Sequence, residues 1–413
     1  MNIVPMLPPP PQPRLFDHLR TKRFLYFVLS LLIVVSLAWP QTHGDIDISI
    51  TRTAEGRNGV PERIAAPDGS VLNVKAYGAK GDGSTDDTSG VATAIDAAAV
   101  KGGTIYFPAG KYIIKRALPI IYPHRHSTVS IRCADARSTW ICFYNGGITI
   151  SGGIQYPYKN SSIENCTFDN TKAMPGSVAI TIIDSTGDYI RDNEFSLGTS
   201  TVGVLIKNVS YWNERHQLSG NQFQNGNPAI EFYQAVTDRN NSFGYNILAN
   251  DHFEVCERCD GILINGNNDR NHAGFYNGRI DVRANFLGSS GNLLHLINKG
   301  HVYQSQLRLS GEGSAGTYLI ATDSTSSVAA NYGAELYYNN GGTAPIAAGS
   351  NVSFTLASLG SLQTGGTAGP TWSSGPGVPS GSCSPNGSLY SNTKGSSGST
   401  LYVCVSGVWV DVR

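Results

Sequence analysis

Four polar turns carry most of the reactive side chains of this sequence. They are Trp212-Asn213-Glu214-Arg215-His216, Thr237-Asp238-Arg239-Asn240-Asn241, Asn268-Asp269-Arg270-Asn271-His272 and Asn298-Lys299-Gly300-His301. Each follows an apolar run. Stacked in register, they would set carboxylate, guanidinium and imidazole in a column along one edge. Two acids from Glu214, Asp238 and Asp269 could then serve as general acid and base, with His272 beside them. Arg215, Arg239 and Arg270 would pair with the carboxylates of an extended acidic glycan. Trp212 and Tyr233 would lie against sugar faces. Glycoside cleavage needs a carboxylate separation of about 5–5.5 Å or about 6.5–9.5 Å, and strands about 4.8 Å apart can reach either. The same column also reads as a solvated ladder of Asp/Arg ion pairs that suppresses aggregation.

A second group, Asn250-Asp251-His252 with Glu254, could act in acid/base work. Strand alternation would put Asp251 and Phe253 on one face and His252 and Glu254 on the other. Cys256-Glu-Arg-Cys259 has a spacing used by metals, but no second Cys pair or His stands at zinc-site distance, so no metal is expected. Nothing in the pattern calls for a cofactor.

The elements that must position these groups repeat. Apolar strands fall at Val178–Ile183, Val202–Ile206, Ala229–Phe232, Gly261–Ile264, Leu293–Ile297 and Tyr318–Ala321. Between them an Asn closely precedes a Phe, at Asn165/Phe168, Asn193/Phe195, Asn221/Phe223, Asn250/Phe253 and Asn285/Phe286. The Phe-to-Phe spacings of 27, 28, 30 and 33 suit one coil of a solenoid, whose rungs bury their apolar faces only by stacking. Asn tolerates the left-handed region at the turns.

Upstream, Val71–Val74 reads as a strand and GAKGDG as a glycine turn. Ser84, Asp86 and Asp87 read as N-caps of a helix from Thr88 to about Ala99 that buries Val91, Ala94, Ile95 and Ala98. Gly102-Gly103 end it, and strands follow at Thr104–Phe107 and Tyr112–Ile114. DGSTDD lacks the later bidentate Glu of a calcium loop. This order of strand, GAKGDGSTDDT, helix and GGTIYFPAGKYII resembles the pectate-lyase-like superfamily, more narrowly the domain of rhamnogalacturonases and phage tailspikes. The resemblance implies an all-β, single-stranded right-handed parallel β-helix whose N-terminal end is capped by the helix. It also implies action on polysaccharide. The polygalacturonase motifs are not matched: Asp260-Gly261-Ile262 and Lys299-Gly300-His301 are fragments without the Asp-Asp or Arg-x-Lys, so that family's catalytic residues are not carried over.

The 413 residues carry 30 basic and 30 acidic side chains, which gives no reason to expect a nucleic-acid partner. The expected organisation is a basic, proline-rich stretch (1–23) and a signal peptide or membrane anchor (24–39). A linker (40–68), the β-helix (69–364), a Gly/Pro/Ser linker (365–382) and a small C-terminal β module (383–413) follow. The 24–39 run is shorter than the roughly 20 residues of a spanning helix, and it implies export. Of seven cysteines, Cys383 and Cys404 are expected to staple the module. Cys133 with Cys142 and Cys256 with Cys259 are possible pairs, which leaves Cys166 a buried thiol. The expectation is a secreted or anchored hydrolase or lyase of pectin-like acidic glycans. A non-catalytic glycan-binding or structural β-helix, monomeric or a tailspike-like trimer, is the alternative.

Overall fold

The computed structural model describes residues 71–120, 128–152, 160–236, 243–269, 274–330, 332–339, 345–354, 361–363, 371–395 and 400–412. The expected segments at 1–23, 24–39 and 40–68 lie outside them. No helix among the described residues is long and apolar enough to cross a membrane.

The chain coils as a parallel β-solenoid of about nine turns. Sheet I has sixteen strands in two wings. One wing runs from Val71–Asn73 through Gln217–Ser219, and the other from Asp82–Asp86 through Gln222–Gln224. A left-handed residue separates them in four successive coils: Asn165 (φ 61°), Asp192 (φ 55°), Gly220 (φ 69°) and Asn250 (φ 60°). The wings merge in Ile247–Val255, and Arg279–Phe286, Gln306–Glu312 and Ala334–Asn339 continue as unbroken strands. Sheet II stacks eight strands from Leu118–Ile120 to Thr317–Thr322 and contains all six expected apolar runs. Sheet III is short, with Phe243–Gly244, Gly274–Tyr276, His301–Tyr303, Ser327–Ala330 and Val352–Phe354.

Parallel register turns the sequence period into columns. Ile105, Ile131, Ile163, Ile190, Leu218, Leu248 and Ile280 stack inside sheet I, all essentially buried. Four of the expected phenylalanines also stack. Ring centroids are 5.2 Å apart for Phe168/Phe195, 4.5 Å for Phe195/Phe223 and 5.0 Å for Phe223/Phe253. Each such pair contributes about 0.5–1.5 kcal/mol beyond area burial. Phe286 departs from this column. The left-handed Asn250 is an extra residue that the next coil lacks, so the register shifts there. Ala284 then faces Phe253, and Phe286 faces Val255. The last spacing of 33 is longer because Phe286 stands two places beyond the column position held by Ala284.

The Asn marks divide in the same way. Asn165 and Asn250 are corner residues with positive φ, whereas Asn193 and Asn221 are buried one place further on. Asn193 Nδ2 donates to Ile163 O (2.9 Å) and to Asn221 Oδ1 (3.1 Å). Asn221 Nδ2 donates to Ile190 O (2.9 Å) and to Asp251 Oδ1 (2.8 Å). Asp251 ends this ladder, because Val282 takes its place in the next coil.

Helix α1 (Thr88–Lys101) buries the four expected apolar residues and Ala99. Gly90 lets it close on the backbone, since a Cβ there would stand 2.5 Å from Ala79 N. Asp87 stands at the N-cap position, but its side chain makes no cap bond. It is buried, and its carboxylate accepts from the amides of Lys80, Gly81 and Ile113, tying the turn to the next coil. Asp86 caps instead, accepting from Thr88 N at 3.0 Å. Ser84 turns on Asp82, 2.9 Å from its amide.

Cys383–Cys404 and Cys256–Cys259 are bridged, which excludes free CxxC chemistry. Cys133 pairs with Cys166 rather than Cys142, because stacked coils bring those two Cα atoms to 5.1 Å. Cys142 is the buried thiol; burial, then Asp169, pushes its pKa up to about 12. In the terminal module Thr371–Gly375, within the expected linker, is a strand parallel to Leu389–Asn392, and Trp372 Nε1 donates to Ser391 Oγ at 2.9 Å. Leu401–Val405 and Val408–Asp411 complete it antiparallel.

Candidate functional site

The described members of the expected column do not share one face. Glu214 bridges in register to Thr186 and accepts from Tyr276 Oη at 3.0 Å. Arg215 is itself the left-handed turn residue (φ 59°), with its guanidinium 5.8 Å from the centroid of Tyr245. Trp212 leans on Tyr211 at 4.0 Å and stays 37% exposed. Its neighbour His216 is fully buried beside Asp188, and burial pulls its pKa down to about 3. Asp269 is likewise buried, because its turn folds back so that its amide donates to Gly266 O at 2.9 Å. A buried carboxylate cannot stand in a solvated column. Tyr233 lies on sheet II. Asp238, Arg239, Arg270 and His272 lie outside the described residues.

Titratable side chains gather one step back along the chain, on the outer face of sheet II. Glu231, Leu263 and His295 are in register on successive strands (Ile230–Gln234, Cys259–Asn265, Gly291–Ile297). Glu231 and His295 are therefore two strand spacings apart, about 10 Å. Alternation aims them outward while Ile230, Phe232, Leu294 and Leu296 fill the core. Gly261 and Ile262 are both buried, so Asp260 and Leu263 both end up on the outer side. His295 Nδ1 lies 2.8 Å from Asp260 Oδ2, and Asn292 Nδ2 donates to Asp260 Oδ1 at 2.8 Å. Asn265 donates to Glu231 Oε1 at 3.4 Å and accepts from Asn298 Nδ2 at 3.1 Å. Lys207 Nζ is 5.7 Å from the ring of Tyr233.

The environments shift two of these groups. Burial raises the Glu231 pKa, against the lowering effects of the Asn265 hydrogen bond and Lys207. Burial alone would lower His295, but the hydrogen bond and charge of Asp260, with Asp323, carry it above the ordinary imidazole value. The result is a carboxyl of raised proton affinity on the same face as an imidazole held by a carboxylate. Asp260 fixes Nδ1 and leaves Nε2 as the working nitrogen. No group of three metal-ligating side chains occurs among the described residues.

The sequence drew attention to Asp260 and to His301, but the partner of Asp260 is His295. His301 belongs to sheet III, where its Nδ1 meets Ser327 Oγ at 2.7 Å. A polar residue at an outward position inside an apolar run, as in Ala229-Ile-Glu-Phe232 and Leu293-Leu-His-Leu-Ile297, was the available signal.

Together the coils and this face define a parallel β-helix with a cluster of hydrogen-bonded titratable side chains on one sheet. Residues 71–126 match the family described as rhamnogalacturonase A/epimerase, pectate lyase-like. That match covers the opening strand, the capping helix and the first coils of the parallel β-solenoid. The chain is similar to plasmin and fibronectin-binding protein A of Streptococcus pneumoniae, 32% identical over 171 residues, which is 37% of this chain and 23% of that protein. It is 61% identical to alginate lyase 7 of Azotobacter vinelandii over 41 residues, 10% of this chain and 5% of the relative. The chain thus spans less than a quarter of the length of either. The crystal structure of PfbA, a surface adhesin of Streptococcus pneumoniae, covers 83% of this chain and 98% of its own at 15% identity, with a TM-score of 0.36.

Proposed function

We propose that the protein is a secreted or surface-held polysaccharide-cleaving β-helix that works by general acid–base catalysis on the outer face of sheet II. The observation that carries this reading is the Asp260–His295 pair on the same face as Glu231, whose pKa burial raises. Glu231 donates its proton to the leaving glycosidic oxygen. His295 Nε2, oriented by Asp260, takes the proton of an attacking water or of the sugar carbon. Two strand spacings, about 9.6 Å, stand at the upper end of the separation that admits a water between acid and base. Lys207 and Asn265 supply polar contacts beside Glu231, and Tyr233 offers a ring to a sugar face.

The test is Glu231→Gln assayed on a panel of acidic and neutral polysaccharides, reading reducing ends together with ultraviolet absorbance of unsaturated products. Loss of product with retained fold supports the assignment. Undiminished cleavage would remove Glu231 from the chemistry. A second reading is supported by the 171-residue similarity to a plasmin- and fibronectin-binding protein: a non-catalytic adhesive β-helix. It predicts that wild type releases neither product while retaining glycan. Asp238, Arg239, Arg270 and His272 follow sheet II strands in sequence, and they are proposed as further contacts of the same ligand.

A further inference from the structure

The outer face of sheet I holds a different feature. Two cavities, of about 650 Å³ and about 240 Å³, are both lined by His252. In parallel register, Trp140 leads through Glu194 and Gln222 to His252, and on through Arg283 to Tyr337. Seven strand spacings separate the two aromatic ends, about 34 Å. Such a furrow follows the solenoid axis and suits an extended polymer rather than a compact metabolite.

We propose that this furrow is a second binding track, separate from the sheet II cluster, for a neutral, hydroxyl-rich polysaccharide. The smaller cavity is lined by Trp140 and by the amides and carboxylates Gln222, Gln224, Glu194 and Glu254. Amide and carboxylate oxygens accept from sugar hydroxyls, and an indole receives the apolar face of a pyranose. Acids at this position repel a uronate. The guanidiniums of the larger cavity do not reverse that balance. Arg308 Nε lies 3.1 Å from Glu335, and Arg283 Nη2 lies 3.2 Å from Glu312, so both are matched by carboxylates. Asp281 is held by Arg279. At the junction, burial, aided by Arg283 and opposed by Glu254, lowers the His252 pKa, and a neutral imidazole offers one donor and one acceptor. Below it Asp251, fully buried, lines the larger cavity with an Oδ2 that finds no hydrogen-bond partner among the described residues. At the far end Lys111, an exposed side chain, lies over the Trp140 ring at 5.6 Å and can shift to admit a sugar.

The experiment uses the full chain carrying Glu231→Gln, so that binding is read without turnover and apart from the sheet II reading. Cello- and malto-oligosaccharides of graded length are titrated by calorimetry and tryptophan fluorescence, with oligogalacturonate as the acidic probe. Affinity for a neutral series should rise with length. Trp140→Ala should weaken it about tenfold, and Gln222→Ala a few-fold, with melting temperature and circular dichroism unchanged. The proposal is overturned if no neutral oligomer binds, if binding ignores Trp140 and Gln222, or if only oligogalacturonate depends on them. It is equally overturned if neutral binding disappears with His295→Ala alone. Loss of cleavage in Glu231→Gln with this binding intact would leave both assignments standing.

Discussion

The two outer faces of the solenoid use the same backbone differently. On sheet II, polar side chains bond to one another across neighbouring strands, with Asn292 on Asp260, Asp260 on His295 and Asn265 on Glu231. The cluster is short, half-buried and shifted in proton affinity. On sheet I, polar side chains stand in a long open row, its guanidiniums matched by carboxylates of adjacent strands. A regular rung spacing therefore supports either a reactive point or a track. Desolvation decides between them. Leu263, buried between Glu231 and His295, dries the first face, whereas the ion-paired Arg283, Glu312, Arg308 and Glu335 of the second stand exposed to water.

The largest way to break the comparison is to disarm the reactive face. Glu231→Gln should lower kcat about 10²–10⁴-fold, the usual worth of a positioned proton donor, with oligosaccharide affinity in the furrow unchanged. A smaller change comes from Asp260→Asn. His295 must be neutral to act as base, and Asp260 raises its pKa. Removing that charge should move the acid limb of the kcat/KM profile to lower pH, with a rate loss of about tenfold or more. An acid limb that stays in place would show that His295 is not the base.

The solenoid was legible in the sequence because its core repeats: the phenylalanine column and the sheet II runs came from spacing alone. The site was less so. Outward positions of sheet II also carry Leu205, Leu263 and Ile297, so an apolar run did not announce which of its residues faced solvent. Polar turns looked like a binding edge. Yet a solenoid corner must satisfy its own backbone, and His216 and Asp269 are buried while doing so. The pairing of Cys133 with Cys166, and of Asp260 with His295, joins residues about one coil apart, beyond the reach of local spacing.

A stability measurement sharpens the contrast from the furrow side. Burial pushes the Asp251 carboxyl up from 3.8 to about 7. The native state therefore binds a proton that the unfolded chain releases, and stability is fully present below about pH 4 and lost as pH rises through 7. Asn193 and Asn221 in the same column each donate Nδ2 to a carbonyl of the preceding coil. Asp251→Asn should complete that pattern at Leu218 O, add about 1–3 kcal/mol at neutral pH and flatten the slope between pH 4 and 7. Urea unfolding across that range checks it, and an undiminished slope would move its origin elsewhere. The smallest expected effect is Tyr233→Ala, a few-fold rise in KM with little change in kcat. An effect on kcat as large as that of Glu231→Gln would instead place the phenol in the chemistry.

The Cys133–Cys166 bridge joins adjacent coils and closes 33 residues of chain. For a protein gripping a polymer under flow, that bridge sets a mechanical limit. Tension drawn through the chain can peel coils from either end, but this one cannot pay out. It withholds about 110 Å of contour length until a reductant releases it, so the early coils act as a fixed spool next to the far-end aromatic of the furrow.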